Sequence, residues 1–311
     1  ATAITLGGQL AIRWAENRIN KYLNETLKTE NVDYIIASDT DSLYIRFDAL
    51  VKKVYGDNIE KDKVVTFLDK CASEIMEPVI DEIYSELAKR ANAFSQKMFM
   101  KREVIADRGI WTAKKRYIMH VYNNEGVQYS EPDMKVMGLE MIKSSTPAPV
   151  RGKMKAALQI MMKGKETDIH TFIEDFRKHF KEVPAEEISF PRGLNGLNTY
   201  SDSVTLYKKG TPIHVRGAIV YNHHLKELGL EKKYQKIQEG DKIKFLYLKE
   251  PNPLGTHVIT FSGQLPPEFK LREYVDYETM FEKSFLEPLN SLLSCIGWKV
   301  KEQASLEGLF G

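Results

Sequence analysis

Cysteine and long apolar segments are scarce in this sequence. Cys71 and Cys295 are the only cysteines among 311 residues, and their spacing fits neither a metal-ligand motif nor a disulfide framework. We therefore expect a reducing, cytoplasmic compartment. No apolar run approaches the ~20 residues that a membrane-spanning helix requires, so we expect no membrane association.

An excess of charge of one sign is also absent. The sequence has 45 Lys and Arg against 43 Asp and Glu, a formal net charge of +2, so any nucleic-acid-binding surface must be local. The region 143–233 is a candidate, because it holds 16 Lys and Arg against 10 Asp and Glu, although a solvated face is the alternative. Hydrophobic residues make up 42% of the chain, which excludes a disordered or collagen-like protein.

The spacing of apolar residues in the first half predicts helices and antiparallel strands. A helix covers 1–28, and because it begins without a capping residue we expect the chain to be cut from a longer one. Two short apolar runs around Ser38–Ser42 predict a β-hairpin with a tight turn. The other predicted elements are a helix over 62–92 with Pro78 as the site of a bend, strands over 98–106, 116–122 and 134–139, and turns at Asp107–Gly109 and Asn123–Gly126.

The second half is richer in helical patterns and follows a segment, Ser144–Pro149, with the composition of a linker. The two halves together predict an α+β fold, in which an antiparallel sheet part precedes a mostly helical part. The predicted elements of the second half are helices over 150–163, 168–182, 213–226 and 275–295, and short strands near 242–248 and 257–261.

Two acidic residues mark the predicted hairpin. Asp39 and Asp41 alternate along an extended chain, so we expect both carboxylates to project from the same side. Carboxylates this close repel unless a cation lies between them, and Mg²⁺ prefers such oxygen ligands. The arrangement suits two-metal phosphoryl or nucleotidyl transfer. Taken alone, however, Asp-Thr-Asp is better explained as a turn, because these residues are good turn formers.

Further motifs indicate a family. The segment Tyr34–Tyr44 (YIIASDTDSLY) resembles the Asp-Thr-Asp-Ser palm motif of family B DNA polymerases, and Lys114–Tyr117 (KKRY) resembles a second motif of that family. Met98–Glu103, Lys135–Glu140 and Lys143–Pro147 fit the same family, and together they look like the replicative enzymes of T-even bacteriophages. Each motif is short, but their order and spacing are specific.

The resemblance implies a domain organisation and a reaction. A C-terminal part of the palm would cover 1–142, a thumb would cover 143–298, and a clamp-binding tail would cover 299–311. The implied reaction is template-directed addition of deoxynucleotides to a primer 3′ end by two-metal nucleotidyl transfer with Mg²⁺. It would take place in the host cytoplasm if the chain is phage-encoded.

The same resemblance implies roles for three acidic residues. Asp41 would be a metal ligand, and Asp39 would be a nearby carboxylate that shapes the primer-end site with a weaker claim to direct ligation. Glu103 would be a third catalytic carboxylate near the metals. For Glu103 an ordinary position on the surface of a strand is the alternative.

The basic motif is expected to contact primer–template DNA near its growing end. The motif occupies four consecutive positions of a predicted strand, Lys114, Lys115, Arg116 and Tyr117. Their side chains point to both faces of the strand, so not all four can touch DNA. Lys115 is the first candidate, because a cation in the minor groove tests for correctly paired acceptors without reading sequence. A basic edge strand is the alternative.

The C-terminal residues resemble a sliding-clamp-binding peptide. Leu306, Leu309 and Phe310 would lie on one face of a helical turn that enters an apolar pocket, and Gln303 completes the pattern. An apolar tail that folds back on its own domain is the alternative.

Several parts of a family B active site are expected to come from a separate chain. The second metal-binding Asp, the fingers helix that binds the incoming deoxynucleoside triphosphate and the proofreading exonuclease have no counterpart here. The resemblance therefore implies an N-terminal polymerase fragment as partner and an isolated chain that is inactive. A non-catalytic DNA-binding or clamp-tethering subunit with the same fold is the main alternative, and a nucleotide cyclase-like phosphotransferase is another.

Overall fold

Helices and small antiparallel sheets make up the chain in the computed structural model, which describes residues 2–56 and 60–301. The chain divides into two units, Ala1–Met137 and Gly138–Gly311. The predicted α+β fold class is confirmed. The assignment of the units to palm and thumb stays a prediction. Across the described ranges, no helix is long and apolar enough to cross a membrane.

The described residues of the first unit form a two-stranded and a three-stranded antiparallel sheet together with four α-helices. The predicted opening helix and the predicted hairpin are confirmed. The elements in chain order are α1 (Thr2–Leu27), β1 (Ile35–Asp39), β2 (Ser42–Ile45), α2 (Asp48–Tyr55), α3 (Lys61–Cys71), α4 (Glu77–Arg90), β3 (Val104–Ala113), β4 (Arg116–Asn124) and β5 (Val127–Met137).

The core of the first unit lies between α1 and α4. Helix α1 buries a stripe of apolar residues at four-residue spacing, the pattern of an amphipathic helix that packs along one face. The indole Nε1 of Trp14 donates a hydrogen bond of 3.1 Å to the carbonyl oxygen of Ile83 and thus fixes the contact between the helices. The buried residues of the pair are Ala11, Ala15, Ile19, Leu23, Leu27, Ile80, Ile83 and Tyr84.

The predicted long helix over 62–92 is present but contains a π-helical turn, Ala72–Met76, between α3 and α4. Pro78 follows two residues later. Because proline has no N–H and its ring crowds the preceding turn, the wider π turn allows the helix to continue through it. The second unit repeats this arrangement, with a π turn at Glu282–Leu286 and Pro288 two residues beyond it.

The three-stranded sheet has the order β3–β4–β5, and one of its predicted turns is wrong. Asp107–Gly109 lies inside β3, where the pairing with β4 shifts register between Ala106 and Arg108. A β-bulge takes up extra residues within a strand, so a turn-like sequence continues along the sheet. The other predicted turn is confirmed, because Glu125 and Gly126 link β4 to β5 with φ angles of 49° and 89°.

The first predicted strand, over 98–106, starts later than expected, at Val104. Side chains bind the backbone of the residues before it. The amide of Gln96 bonds to both the N–H and the carbonyl of Met98 at 2.5 Å, and the N–H of Arg102 donates to Oε1 of Glu77 at 3.1 Å. Backbone groups that already form hydrogen bonds with side chains do not require those of a neighbouring strand, so the strand does not extend over these residues.

The second unit surrounds a three-stranded antiparallel sheet of order β10–β9–β6 with helices, and all four helices predicted for this half are present. Strand β6 and the short ladder β7–β8 were not predicted. The elements are α5 (Ala148–Lys163), α6 (Glu166–Phe180), α7 (Ala185–Ile188), β6 (Phe190–Gly193), α8 (Leu197–Tyr200), β7 (Ser201–Asp202), β8 (Leu206–Tyr207), α9 (Ile213–Glu227), β9 (Lys242–Tyr247), β10 (Val258–Phe261), α10 (Tyr277–Phe281) and α11 (Glu287–Leu293).

Two features hold the second unit together. Phe176 and Phe180 of α6 pack edge-on against Phe285 and Phe281, with ring centroids 4.9 Å and 5.2 Å apart. Helix α9 approaches strand β10 at Gly217 so closely that a Cβ there would lie 2.5 Å from the hydroxyl of Thr260. This contact between helix and sheet therefore requires glycine.

Candidate active site

The acidic hairpin closes with a two-residue turn. Asp39 pairs with Ser42 across β1 and β2, and Thr40 and Asp41 form the turn between them. Thr40 has a φ of 56°, and the N–H of Asp41 donates to the carbonyl of Asp39 at 2.6 Å. The expected strand-like alternation of Asp39 and Asp41 is wrong, because the left-handed Thr40 reverses the chain between them.

Asp39 is held by a lysine from another sheet. Nζ of Lys115 donates to Oδ1 of Asp39 at 2.8 Å and lies 3.4 Å from Oγ1 of Thr40, which itself donates to Asp39 at 3.0 Å. The hydrogen bond from Lys115, followed by that from Thr40, holds the pKa of Asp39 below its usual value of 3.8. Asp39 therefore remains ionised at neutral pH.

Asp41 is exposed at the tip of the hairpin. Within the part of the chain that the structure describes, its carboxylate forms no hydrogen bond or ion pair; only its backbone N–H is engaged. Two carboxylate oxygens on an accessible turn are donors of the type that Mg²⁺ takes while it keeps several water ligands.

The basic motif forms a turn rather than a continuous strand. Ala113 pairs with Arg116, so Lys114 and Lys115 connect β3 to β4, and Lys115 has a φ of 61°. The expectation of four consecutive strand residues is wrong, since only Arg116 and Tyr117 lie on β4. The turn exposes both lysines and Arg116, whereas Tyr117 is 9% exposed.

Three aromatic rings join the hairpin to the sheet. The ring of Tyr44 on β2 contacts Trp111 and Tyr117, with centroid separations of 5.2 Å and 5.6 Å. Burial, together with the neighbouring Tyr117 hydroxyl, raises the pKa of Tyr44 to about 12. This contact places the acidic turn beside the basic turn, so Tyr44, at the end of the acidic segment, positions the site by packing.

Glu103 lies just before β3 and is paired with a lysine. Nζ of Lys135 on β5 lies 2.6 Å from Oε1 of Glu103, and the carbonyl of Glu103 accepts a hydrogen bond of 2.6 Å from the N–H of Glu125. Among the described residues, Asp39, Asp41 and Glu103 do not bring one carboxylate oxygen each within 4.8 Å of one another. The structure thus brings Asp39 and Asp41 onto one turn and leaves Glu103 outside it.

Two curated phage proteins match the chain along its whole length. It is 34% identical over 324 aligned positions to the DNA-directed DNA polymerase of Enterobacteria phage T4, an alignment that covers 100% of this chain and 36% of the relative. The identity to the DNA-directed DNA polymerase of Escherichia phage RB69 is also 34% over 324 positions, covering 100% of this chain and 35% of the relative. The chain is related to the family B phage DNA polymerases.

The family resemblance of the short motifs is thereby confirmed. The chain spans about a third of the length of the two family B relatives, so their activity as whole proteins is carried over below only as a proposal. No protein-family model matches the chain.

The comparison with the two phage polymerases leaves the predicted clamp-binding residues untested. The predicted clamp-binding residues Gln303, Leu306, Leu309 and Phe310 lie outside the described residues.

Sequence reasoning missed Tyr44 and Trp111, although Trp111 and Tyr117 are cross-strand partners once the turn is placed at the two lysines. It also missed a group of His and Glu side chains at the end of α9, which a His-His-x-x-Glu sequence signals.

Proposed function

We propose that this chain contributes catalytic and DNA-binding residues to a family B DNA polymerase, which adds deoxynucleotides to a primer 3′ end as a template directs. The observation that carries the proposal is the match of the entire chain to two phage DNA-directed DNA polymerases. The neighbouring acidic and basic turns support it, because they place carboxylates for catalysis beside cations for DNA.

The acidic turn is the proposed metal site. Among the residues that the structure describes, Asp41 offers an exposed carboxylate with no partner, and Asp39 retains its Oδ2 atom beyond the bond from Lys115, so the donor set suits a hard cation. Mg²⁺ bound there would neutralise charge on the triphosphate and lower the pKa of the primer hydroxyl. Asp41 would be its main ligand from this chain, with Asp39 beside it and Glu103 as a more distant carboxylate.

The basic turn is the proposed contact with primer–template DNA. The Lys115 ammonium carries three N–H groups, of which Asp39 and Thr40 accept two in the described structure. A third donor remains for an acceptor in the minor groove, and Asp39 fixes the direction of the side chain. Lys114 and Arg116 are exposed for phosphate contacts, whereas Tyr117 supports the turn through its packing on Tyr44.

The remaining partners follow from the same proposal. The second unit acts as a thumb that binds duplex DNA through its basic residues, with an affinity that falls as salt rises. A separate N-terminal polymerase fragment provides the second metal-binding Asp, the fingers and the exonuclease. Residues 303–310 bind a sliding clamp.

Primer extension with Mg²⁺ and the four deoxynucleoside triphosphates tests the function. The chain is assayed alone and together with the rest of the polymerase from the same genome. We expect products only in the mixture. When one of the four nucleotides is left out in a parallel reaction, the products should end just before the first template base that requires it. A mixture that binds duplex DNA but makes no product would contradict the proposal and favour a non-catalytic DNA-holding subunit.

A further inference from the structure

Three potential metal ligands meet at the last turn of α9, in the second unit. Nε2 of His223 lies 3.1 Å from Oε1 of Glu227, and Nδ1 of His224 lies 3.3 Å from Oε2 of the same carboxylate. One ligand atom from each residue falls within 4.8 Å of the other two. Across the described ranges this is the one group of three such residues with that property.

Helix geometry explains why the three side chains converge. Residues three and four apart are neighbours on a helix surface, so Glu227 faces both His224 and His223. The two imidazole rings lie 5.1 Å apart between centroids and cross at 72°, which directs both rings towards the shared carboxylate.

The spacing of the ligand atoms fits a small borderline cation. A tetrahedral Zn²⁺ site with bonds of about 2.0–2.1 Å separates its ligand atoms by roughly 3.3 Å. Each histidine nitrogen lies at about this distance from one oxygen of Glu227, at 3.1 Å and 3.3 Å, but the two oxygens differ. A rotation of the Glu227 carboxylate or of one imidazole therefore brings one atom from each residue to a common centre. Mg²⁺ is a poor match, since it prefers oxygen ligands in octahedral geometry.

The surroundings also favour a cation. The C-terminus of a helix carries a partial negative charge, and His224 and Glu227 lie in the final turn of α9, with His223 directly before it. The side chain of His224 is 18% exposed and packs near the ring of Phe269, which limits its rotation.

We propose that His223, His224 and Glu227 bind a transition-metal dication, Zn²⁺ by preference. His223 and Glu227 are partly exposed, at 40% and 54% of their side-chain surface, so solvent water completes the coordination. The metal joins side chains at the end of α9, directly before the helix ends at Leu228. It therefore raises the temperature at which the chain unfolds.

Isothermal titration calorimetry of the metal-free 311-residue chain with ZnCl₂ tests the proposal. We expect one Zn²⁺ per chain and a similar isotherm in the presence of excess Mg²⁺. His223→Gln, His224→Gln and Glu227→Gln should each weaken binding by at least about tenfold. His179→Gln is the matched control, because His179 is an exposed histidine on α6 whose ring bonds to the carbonyl of Asp175; its isotherm should match that of the unmodified chain.

A second readout is independent of substitution. Co²⁺ bound to the unmodified chain should give visible absorption with the intensity of tetrahedral nitrogen and oxygen coordination, and Zn²⁺ should abolish it. Absence of Zn²⁺ binding, binding that all three ligand variants retain, or equal loss in the His179→Gln control would overturn the assignment. Circular dichroism of each metal-free variant separates loss of the site from loss of the fold.

Discussion

The ammonium of Lys115 lies 2.8 Å from the carboxylate of Asp39, although 76 positions separate the two residues in the sequence. One residue ends the first strand of the acidic hairpin, and the other lies in the turn between β3 and β4. The contact brings together the two motifs that indicated a polymerase. It also lowers the pKa of Asp39, because the hydrogen bond from Lys115 is the largest influence on this carboxyl.

Replacement of Lys115 tests this influence. In Lys115→Ala the pKa of Asp39 should rise towards its ordinary value, and in Lys115→Arg it should stay low, as measured by NMR titration of the Asp39 carboxyl. Global stability should change by less than about 1 kcal/mol, since both partners are partly exposed. Lys97→Ala, which removes an exposed lysine, is the control, and an unchanged Asp39 pKa in Lys115→Ala would refute the assigned cause.

Removal of the Tyr44 ring should loosen the hairpin from the sheet. Tyr44→Ala loses the contacts to Trp111 and Tyr117, and we expect a loss of about 2 kcal/mol in the free energy of unfolding, measured with urea. Tyr44→Phe keeps the ring and should lose less than about 1 kcal/mol. Equal losses in the two variants would show that the hydroxyl group, rather than the ring packing, stabilises the contact.

Gly217 should not tolerate a side chain. In Gly217→Ala the added Cβ would lie 2.5 Å from Oγ1 of Thr260 and 2.8 Å from the backbone nitrogen of Thr260. We therefore expect the free energy of unfolding to fall by about 1–3 kcal/mol. Gly152→Ala on α5 is the matched control, because nothing lies within 4 Å of its added Cβ, and helix propensity should stabilise it by up to about 1 kcal/mol. Urea unfolding measures both, and a Gly217→Ala variant as stable as the control would contradict the close approach.

Asp107 should make stability depend on acid pH. Partial burial raises the pKa of this carboxyl, but hydrogen bonds from Lys61 at 2.6 Å and from His120 at 2.7 Å outweigh burial, so its pKa in the folded chain lies below 3.8. A depressed folded pKa stabilises the chain above the unfolded value, and this contribution is lost as the pH falls through the folded value.

Unfolding measurements at several pH values test this sign. Asp107→Asn should be less stable than the unmodified chain at neutral pH by about 1 kcal/mol. The difference should shrink as the pH falls below the unfolded value of 3.8. Asp133→Asn is the control, since the Asp133 carboxylate is exposed and accepts from the backbone N–H of Met134. A difference that grows with acid would reverse the assigned sign.

Local patterns were sufficient to predict most elements. The opening helix, the acidic hairpin and the helices of the second unit follow from apolar spacing and turn composition within short windows. The sequence also indicated the polymerase family before any geometry, because Asp39–Ser42 and Lys114–Tyr117 occur in the same order as in family B enzymes.

The arrangement of the site was not predictable in the same way. Asp107–Gly109 has the composition of a turn, but these residues lie in β3, where the register shifts at a bulge. Because the turn was predicted there, the two lysines that form the true turn were assigned to a strand. Once Lys115 is assigned to a strand, its pairing with Asp39 cannot be anticipated. The contacts of Tyr44 with Trp111 and Tyr117 likewise depend on how the hairpin packs on the sheet, which no local pattern specifies.

Asp41→Asn tests the proposed role of the acidic turn in nucleotide addition. In the complex with the rest of the polymerase, the rate of single-nucleotide addition should fall about 10³-fold or more. The Kd for primer–template should stay within about twofold, because the proposed role of Asp41 is to bind the metal rather than the DNA. Asp133→Asn should retain the full rate. Unchanged addition by an Asp41→Asn complex that still binds DNA would contradict the account.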